Sequence, residues 1–206
     1  MKHDFSKPSV LFLDIGGVLL SNGWGTDSRI NAAKKFGFDF DEMNKRHNLV
    51  FNLHESGKIS LDVYLETVVF NVSRDFSVQA FKEFMFAQSS ALPGMLDWIR
   101  DWKRKTGMRI ISINNEGKEL NHYRINTFGL YEFFDAFLSS CDVGMCKPNP
   151  AFFDLAIAVA HAPASNCLYI DDTLVHVEVA RKKGINAFWH RSYEETSAML
   201  ERFASK

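Results

Sequence analysis

The stretch SVLFLDIGGVLL, residues 9–20, decides the fold of this chain. It opens with a short run of Val, Leu and Phe that does not alternate with polar residues, and such a run predicts a strand buried on both faces of a parallel sheet. Asp14 ends the run, and Gly16 and Gly17 follow it. Because ligands bind at the carboxyl edge of open α/β sheets, Asp14 is a candidate functional residue. A plain Asp-x-Gly turn is the structural alternative.

Length and composition restrict the class of protein. A chain of 206 residues, 46% of them hydrophobic, can form one core of ordinary size plus an insertion. The 24 basic and 25 acidic residues give a net charge of -1 without a long basic run, so we expect no nucleic-acid or membrane partner and favour small molecules. The three cysteines form no Cys-x-x-Cys pair, and we see no signal-like or membrane-spanning apolar segment. A cytoplasmic location is therefore expected.

The segment after the first strand predicts a helical insertion. Residues 21–25 form a polar, glycine-containing loop, and only helical patterns follow as far as Ala87. Ser60 and Ser77 are suitable N-caps, and Gly37 is a suitable helix end. Four helices are predicted, at residues 27–36, 41–54, 61–71 and 77–88. We interpret residues 21–92 as a small cap inserted after the first strand.

Strands and helices alternate in the remainder of the chain. Further buried strands are predicted at residues 108–112, 136–139, 167–170 and 186–189. The intervening helices include one at 116–128 and one that Asn149 caps and Pro150 begins. Alternation of this kind predicts an α/β fold with a doubly wound, Rossmann-like parallel sheet. The catalytic core would comprise residues 1–20 and 93–206, interrupted by the four-helix cap.

Polar residues follow four of these predicted elements. Asp14 is the first, and the others are Ser112 with Asn114 and Asn115, Lys147, and the adjacent pair Asp171 and Asp172. If the sheet is parallel, all of them share one edge. Taken alone, Lys147 could be a solvated loop lysine and Ser112 a helix cap. Two adjacent carboxylates at the end of an apolar strand are costly to desolvate unless a cation or several donors lie beside them.

The charges of this set indicate a cation and an anionic substrate. Three carboxylates and one lysine leave a net charge of about -2, which one Mg²⁺ would offset, and oxygen ligands suit Mg²⁺ better than zinc. A carboxylate nucleophile, a Mg²⁺ ion and a lysine are what attack on a phosphoryl group requires. The sequence therefore predicts phosphoryl chemistry on a small phosphorylated substrate.

Four short motifs resemble those of the haloacid dehalogenase (HAD) superfamily, in the same order. They are FLDIGGV at 12–18, IIS at 110–112, KP at 147–148 and YIDD at 169–172. Within that superfamily the chain is similar to small-cap sugar phosphatases of the α-glucose-1-phosphate phosphatase type. This narrower similarity depends on HESGKIS at 54–60 in the cap and on the segments LSS and GMCKP at 138–140 and 144–148.

The resemblance implies a role for each metal-site residue. Asp14 would be the nucleophile that forms an aspartyl-phosphate and would also bind Mg²⁺. The carbonyl of Gly16 and the carboxylate of Asp172 would complete the protein ligands. Asp171 would act next to the metal or through water, although the order of the two aspartates could be reversed. Lys147 would neutralise the nucleophile and the transferred group.

The resemblance also implies substrate-binding residues. Ser112 and nearby backbone N–H groups, at Ile113 and Asn114, would hold the phosphoryl oxygens together with Lys147. Relatives often have Asn at the position of Ile113, so a role there would depend on the backbone. In the cap the candidates for substrate contacts are Trp24, His54 and Glu55, and packing or surface roles are the alternative for each.

One position departs from the pattern. Phosphatases of the superfamily usually carry a general acid two residues after the nucleophile, where this chain has Gly16. A general acid typically raises the rate of reaction by about 10²–10⁴-fold. Without one, the enzyme would favour esters with good leaving groups, such as sugar 1-phosphates. Alternatively, a cap residue or water would relay the proton. We therefore expect a Mg²⁺-dependent phosphatase. A 2-haloacid dehalogenase and a catalytically silent protein that binds a phosphorylated ligand are the alternatives, and the sequence does not indicate an oligomeric state.

Overall fold

The computed structural model describes residues 8–204 and contains a five-stranded sheet. All four strand pairings are parallel, and the spatial order is β3-β2-β1-β4-β5. The strands are β1 (Val10–Leu13), β2 (Arg109–Asn114), β3 (Ala136–Ser139), β4 (Cys167–Asp171) and β5 (Asn186–Trp189). The predicted doubly wound α/β fold is confirmed, with the opening strand at the centre of the sheet.

Helices connect these strands and form the insertion. They are α1 (Thr26–Phe36), α2 (Phe40–Glu55), α3 (Leu61–Val68), α4 (Val78–Ala87), α5 (Met95–Thr106), α6 (Lys118–Thr127), α7 (Ser140–Val143), α8 (Pro150–Ala160), α9 (Leu174–Lys182) and α10 (Tyr193–Glu201). In residues 8–204, no helix has the length and apolar character needed to cross a membrane.

The strand β1 is buried on both faces, as its apolar run predicts. Leu11 and Leu13 pack into a cluster that includes α5 and α10, whereas Val10 and Phe12 pack into a second cluster with α8 and α9. Each strand residue is at most 3% exposed. Because complete burial of such a side chain contributes about 1.5–3 kcal/mol, the two clusters fix β1 in the middle of the sheet.

The cap helices α1–α4 pack around a third apolar cluster, which includes Phe81 and which Leu120 of α6 joins from the core. Ser60 and Ser77 cap α3 and α4, since their side chains accept hydrogen bonds from the N–H groups of Val63 and Ala80. Gly37 ends α1 in the left-handed conformation. The helical content of the insertion agrees with the sequence, and the boundaries at 21–92 stay a prediction.

Three element ends differ from the sequence predictions by two or more residues, and one short helix was not predicted. Strand β2 continues beyond Ser112 to Asn114, because residues 113 and 114 still pair with β3. Helix α3 ends at Val68, before residue 71, and α6 begins at Lys118 rather than at 116. The four-residue helix α7 follows β3 directly and was not predicted. These differences are local and leave the predicted order of elements unchanged.

Candidate active site

The carboxyl ends of β1 and β4 bring three carboxylates together. Asp14 follows β1, and its N–H donates a hydrogen bond to the carbonyl of Ile170 in β4 at 3.0 Å. Asp171 and Asp172 come next along β4. One oxygen from each of the three aspartates lies within 4.8 Å of the others. Adjacent parallel strands therefore place Asp14 and the aspartate pair in one site.

Lys147 supplies the cation at this site. Its Nζ lies 2.9 Å from Oδ2 of Asp14 and 2.6 Å from Oδ2 of Asp171, and its side chain is 1% exposed. Burial alone would lower the pKa of Lys147, but the two carboxylates outweigh it and raise the pKa. Asn115 holds the lysine's loop, since its amide accepts from the Lys147 N–H at 2.8 Å and donates to the Lys147 carbonyl at 2.9 Å.

Asp171 is surrounded by donors from the protein. It is fully buried, and its oxygens contact Lys147 Nζ, the Tyr169 hydroxyl, the Thr173 N–H at 2.7 Å and Nδ1 of His176 at 3.2 Å. Burial favours the neutral carboxyl group, but Lys147 and His176 outweigh that effect and hold the pKa of Asp171 below its usual range. With its acceptor positions used in this way, Asp171 orients Lys147 and has little capacity left for a metal ion.

Asp172 has a different environment, because it lines a cavity between this edge of the sheet and the cap. One of its oxygens accepts a hydrogen bond from the Thr173 hydroxyl at 3.2 Å. The other lies against Gly17, where an added Cβ would overlap the carboxylate. Gly17 also has a φ of 69°, which favours glycine. Burial and the neighbouring Asp171 raise the pKa of Asp172.

The site carries more negative charge than Lys147 offsets. Burial raises the pKa of Asp14 well above its ordinary value, the lysine reverses this only in part, and the other two aspartates add to it. One oxygen of Asp14 accepts a hydrogen bond from the Ile15 N–H at 2.8 Å. Closely spaced carboxylate oxygens with excess negative charge fit Mg²⁺, which prefers hard oxygen ligands.

A cavity of about 290 Å³ lies between this edge of the sheet and the cap. On the core side it is lined by Asp14, Gly16, Asn115, Glu116, Arg124, Lys147, Asp172 and His176. On the cap side it is lined by Trp24, Arg29, His47, Phe51, His54, Glu55, Tyr64 and Met85. The three cap residues that the sequence singled out, Trp24, His54 and Glu55, all lie on its wall.

Hydrogen bonds and ring contacts order the cap side of the cavity. The Trp24 indole donates to the Tyr64 hydroxyl at 2.9 Å, and that hydroxyl lies 2.7 Å from Nδ1 of His47. Arg29 donates to the Trp24 carbonyl at 2.8 Å. The His54 ring stacks on Tyr64 with the centroids 4.7 Å apart. Burial lowers the pKa of His47 to about 4 and also lowers that of His54, so both rings are neutral at pH 7.

The predicted phosphoryl-binding segment lies behind the cavity wall. Ser112 donates to Asn114, Asn114 donates to Asn121, and Asn121 donates to Ser139 in a buried network. Ile113 packs in the core with α8 and α9. The cavity wall includes Asn115 but none of residues 112–114. A direct role in substrate binding stays a prediction for Ser112, Ile113 and Asn114, because their side chains do not line the cavity.

Several residues of the cavity wall were missed in the sequence. His47 and Phe51 lie on the same face of α2 as the predicted His54, at i, i+4 and i+7, and this spacing could have identified them. Arg29 and Tyr64 lie on other cap helices and carried no such signal, because only the packing of the cap brings them to the cavity.

Known proteins resemble this chain in sequence and in fold. The chain is 24% identical to D-ribitol-5-phosphate phosphatase of Bacteroides thetaiotaomicron over 196 residues, which cover 86% of this chain and 89% of that protein. Its fold is similar to that of a HAD family enzyme from the same organism, solved in complex with magnesium and inorganic phosphate. That likeness has a TM-score of 0.80 at 20% identity and covers 93% of this chain and 98% of the other.

The fold is also similar to that of an L-2-haloacid dehalogenase, with a TM-score of 0.69 at 17% identity over 97% of this chain and 100% of the other. At such identities the structural likenesses establish the fold and leave the reaction open. The sequence pattern of one family covers most of the chain, from residue 9 to residue 184. The chain therefore belongs to the haloacid dehalogenase-like hydrolases.

Proposed function

We propose that this hydrolase is a Mg²⁺-dependent phosphatase that uses Asp14 as its nucleophile and acts on a small phosphorylated metabolite. One observation carries the proposal: Lys147 contacts Asp14 at 2.9 Å, while the carboxylate of Asp172 faces the same cavity. A buried carboxylate held by a lysine beside a second carboxylate can attack phosphorus and bind a metal ion.

The proposed reaction has two steps. An oxygen of Asp14 forms a bond to phosphorus as the bond between phosphorus and the ester oxygen breaks, which gives an aspartyl-phosphate, and the ester oxygen takes up one proton and leaves as the alcohol. Water then attacks phosphorus and gives up one proton, which restores the Asp14 carboxylate and releases phosphate. Lys147 holds Asp14 in position and reduces the repulsion between the carboxylate and the anionic ester.

The metal ligands we propose are Asp14, Asp172 and the carbonyl of Gly16. Asp172 is preferred to Asp171 because four donors already contact Asp171, whereas Asp172 faces the cavity. When bound, Mg²⁺ would offset the charge of the carboxylates and of the phosphoryl oxygens. The carbonyl of Gly16 stays an expectation from the resemblance, and Gly16 itself lies on the cavity wall.

The cap side of the cavity indicates a polar substrate. Arg29, His47, His54 and Glu55 contribute hydrogen-bonding groups to a space of about 290 Å³, which suits a small hydroxylated ester. We therefore propose a sugar or polyol phosphate. The similarity to a phosphatase named for D-ribitol 5-phosphate supports the polyol class.

A panel of sugar and polyol phosphates, assayed for phosphate release with Mg²⁺ and with EDTA, tests the proposal. Asp14→Asn keeps the size of the side chain but removes the nucleophile, so we expect no turnover. Asp41→Asn, an exposed change in the first turn of α2, is the matched control and should keep wild-type rates. Turnover by Asp14→Asn near the wild-type rate would refute the proposal.

Two other functions give different results in the same assays. A 2-haloacid dehalogenase would release halide from 2-haloacids in EDTA, because attack at carbon expels an anion that needs neither metal nor proton. A silent binding protein would bind phosphate or an ester in calorimetry but hydrolyse no member of the panel. The aspartate pair beside Asp14 favours the metal-dependent reaction over dehalogenation.

A further inference from the structure

Glu55 occupies an unusual position at the boundary between cap and core. It is the last residue of α2 and lines the cavity. Its backbone carbonyl accepts a hydrogen bond from the Ser140 hydroxyl of the core at 2.6 Å. Two residues later Gly57 lies so close to the backbone of Cys141 that a Cβ there would overlap its carbonyl. The segment that carries Glu55 is therefore docked on the core rather than held by the cap alone.

The carboxyl group of Glu55 is free for a ligand. Within residues 8–204 it has neither a hydrogen-bond partner nor an ion-pair partner. Burial raises the pKa of Glu55 to about 7, and Glu116 acts in the same direction, while the more weakly acting Lys147 and Arg29 lower it. These three are the charged groups that face it, from the core and from α1, and the Tyr64 hydroxyl and the Cys146 thiol, whose pKa values are both raised by burial, face it as well. A half-protonated carboxyl group at neutral pH suits proton transfer.

The other cap groups on the cavity wall are poorly suited to donate a proton. Burial lowers the pKa of His47 to about 4, and its Nδ1 is already paired with the Tyr64 hydroxyl. Burial also lowers the pKa of His54. The pKa of Tyr64 is raised by burial, and its hydroxyl is bonded to both Trp24 and His47.

On the core side of the cavity, the groups that could donate a proton are already paired with charged neighbours. Lys147 is bonded to two aspartates, which raise its pKa. His176 contacts Asp171 through Nδ1. Burial raises the pKa of Glu116 as well, but its carboxylate forms a buried ion pair of 2.7 Å with Arg124. Glu55 is left as the group with a transferable proton and no competing partner.

We propose that Glu55 donates a proton to the departing ester oxygen while Asp14 attacks phosphorus. This proposal rests on the proposed phosphatase function. As the bond between phosphorus and the ester oxygen breaks, that oxygen takes the proton, so the product is a neutral alcohol and Glu55 becomes a carboxylate. In the second step the Glu55 carboxylate takes a proton from the attacking water, and the hydroxide oxygen bonds to phosphorus. The cycle then ends with Glu55 protonated and Asp14 free.

A pair of small esters tests the proton transfer itself. Ethyl phosphate and S-ethyl phosphorothiolate have nearly the same shape, but the alkoxide leaving group needs a proton and the thiolate does not, since thiols ionise near pH 8.5. Neither ester has hydroxyl groups for Glu55 to hold. The measured quantity is kcat/KM in Mg²⁺, because it reports the step in which the leaving group departs. Glu55→Gln is compared with the wild type and with Glu42→Gln, an exposed change on the same helix.

We expect Glu55→Gln to lower kcat/KM for ethyl phosphate by about 10²–10⁴-fold and to lower it less than tenfold for the phosphorothiolate. In the wild type, kcat/KM for ethyl phosphate should fall as the pH rises above about 7, and Glu55→Gln should lose this dependence. Glu42→Gln should match the wild type on both esters.

Equal losses on the two esters would overturn the proposal, because they would indicate a role in positioning or folding. The absence of any loss would overturn it as well. Failure of the proposed function has a different signature: Asp14→Asn would still hydrolyse both esters, or the wild type would hydrolyse neither.

Discussion

Replacement of Gly17 by alanine should weaken metal binding, because the new methyl group would displace the carboxylate of Asp172. Gly17 has a φ of 69°, and an alanine in this left-handed region costs about 1–2 kcal/mol. A Cβ at this position would also overlap the carboxylate of Asp172, which would have to turn away. Gly37 is a matched control, because its φ is also 69° and no atom lies within 4 Å of its Cβ position.

Gly37→Ala should therefore lose about 1–2 kcal/mol of unfolding free energy, measured by urea denaturation in EDTA. Gly17→Ala should lose at least as much, because Asp172 must also move. Gly17→Ala alone should also require about 10–100-fold more Mg²⁺ for half-maximal phosphatase activity, the range seen when the environment of metal ligands is disturbed. Gly37→Ala should keep the wild-type requirement for Mg²⁺. If the two variants have the same Mg²⁺ dependence, Asp172 is not a metal ligand held in place by Gly17.

Three further predictions concern the charges of the site. Lys147→Met leaves Asp14 and Asp171 buried without their cation, so the free energy of unfolding, measured by urea denaturation, should fall by about 3–5 kcal/mol. A fall below about 1 kcal/mol would contradict the buried ion pairs. The pKa of Glu55 is raised from 4.5 to about 7, so between these values the folded state binds more protons than the unfolded state and stability falls as pH rises. In EDTA at about pH 8, the free energy of unfolding of Glu55→Gln should thus exceed that of the wild type by up to about 3 kcal/mol, and at about pH 4 the two should be equal. Equal stabilities at both pH values would refute the raised pKa of Glu55. Mg²⁺ at about a hundredfold above its Kd should raise the unfolding free energy of the wild type by about 2.7 kcal/mol, and an undiminished rise in Asp172→Asn would exclude that residue as a ligand.

The strands of the core could be predicted because each one carries its own signal. The apolar run before Asp14 is buried on both faces, and the run before Asp171 is buried in the same way. Gly37, Ser60 and Asn149 mark helix ends through conformational or capping preferences that act over a few residues. Such local preferences do not depend on the remainder of the fold, so one sequence is sufficient to recognise them.

Features that depend on tertiary packing were less accessible. The end of β2 was misplaced at Ser112 because the pairing of residues 113 and 114 with β3 involves a partner more than 20 residues away. The same extension removes Ser112 from the cavity wall and places Asn115 there.

The candidate site likewise has features that the sequence predicts and features that depend on tertiary packing. Asp14, Lys147 and the aspartate pair could be placed at one edge because parallel strands align their carboxyl ends. The resemblance favours Asp172 as the metal ligand but leaves the order of the two aspartates open, since their environments depend on donors from Lys147, from His176 and from β4 itself.

Asp14 should become phosphorylated during turnover. Rapid acid quenching during hydrolysis of the best ester in the panel, followed by borohydride reduction and peptide mass spectrometry, tests it directly, because borohydride converts an aspartyl-phosphate to homoserine. Homoserine should be found at position 14 in the wild type and should be absent in Asp14→Asn. Turnover without any modification of Asp14, or homoserine at another aspartate, would contradict it.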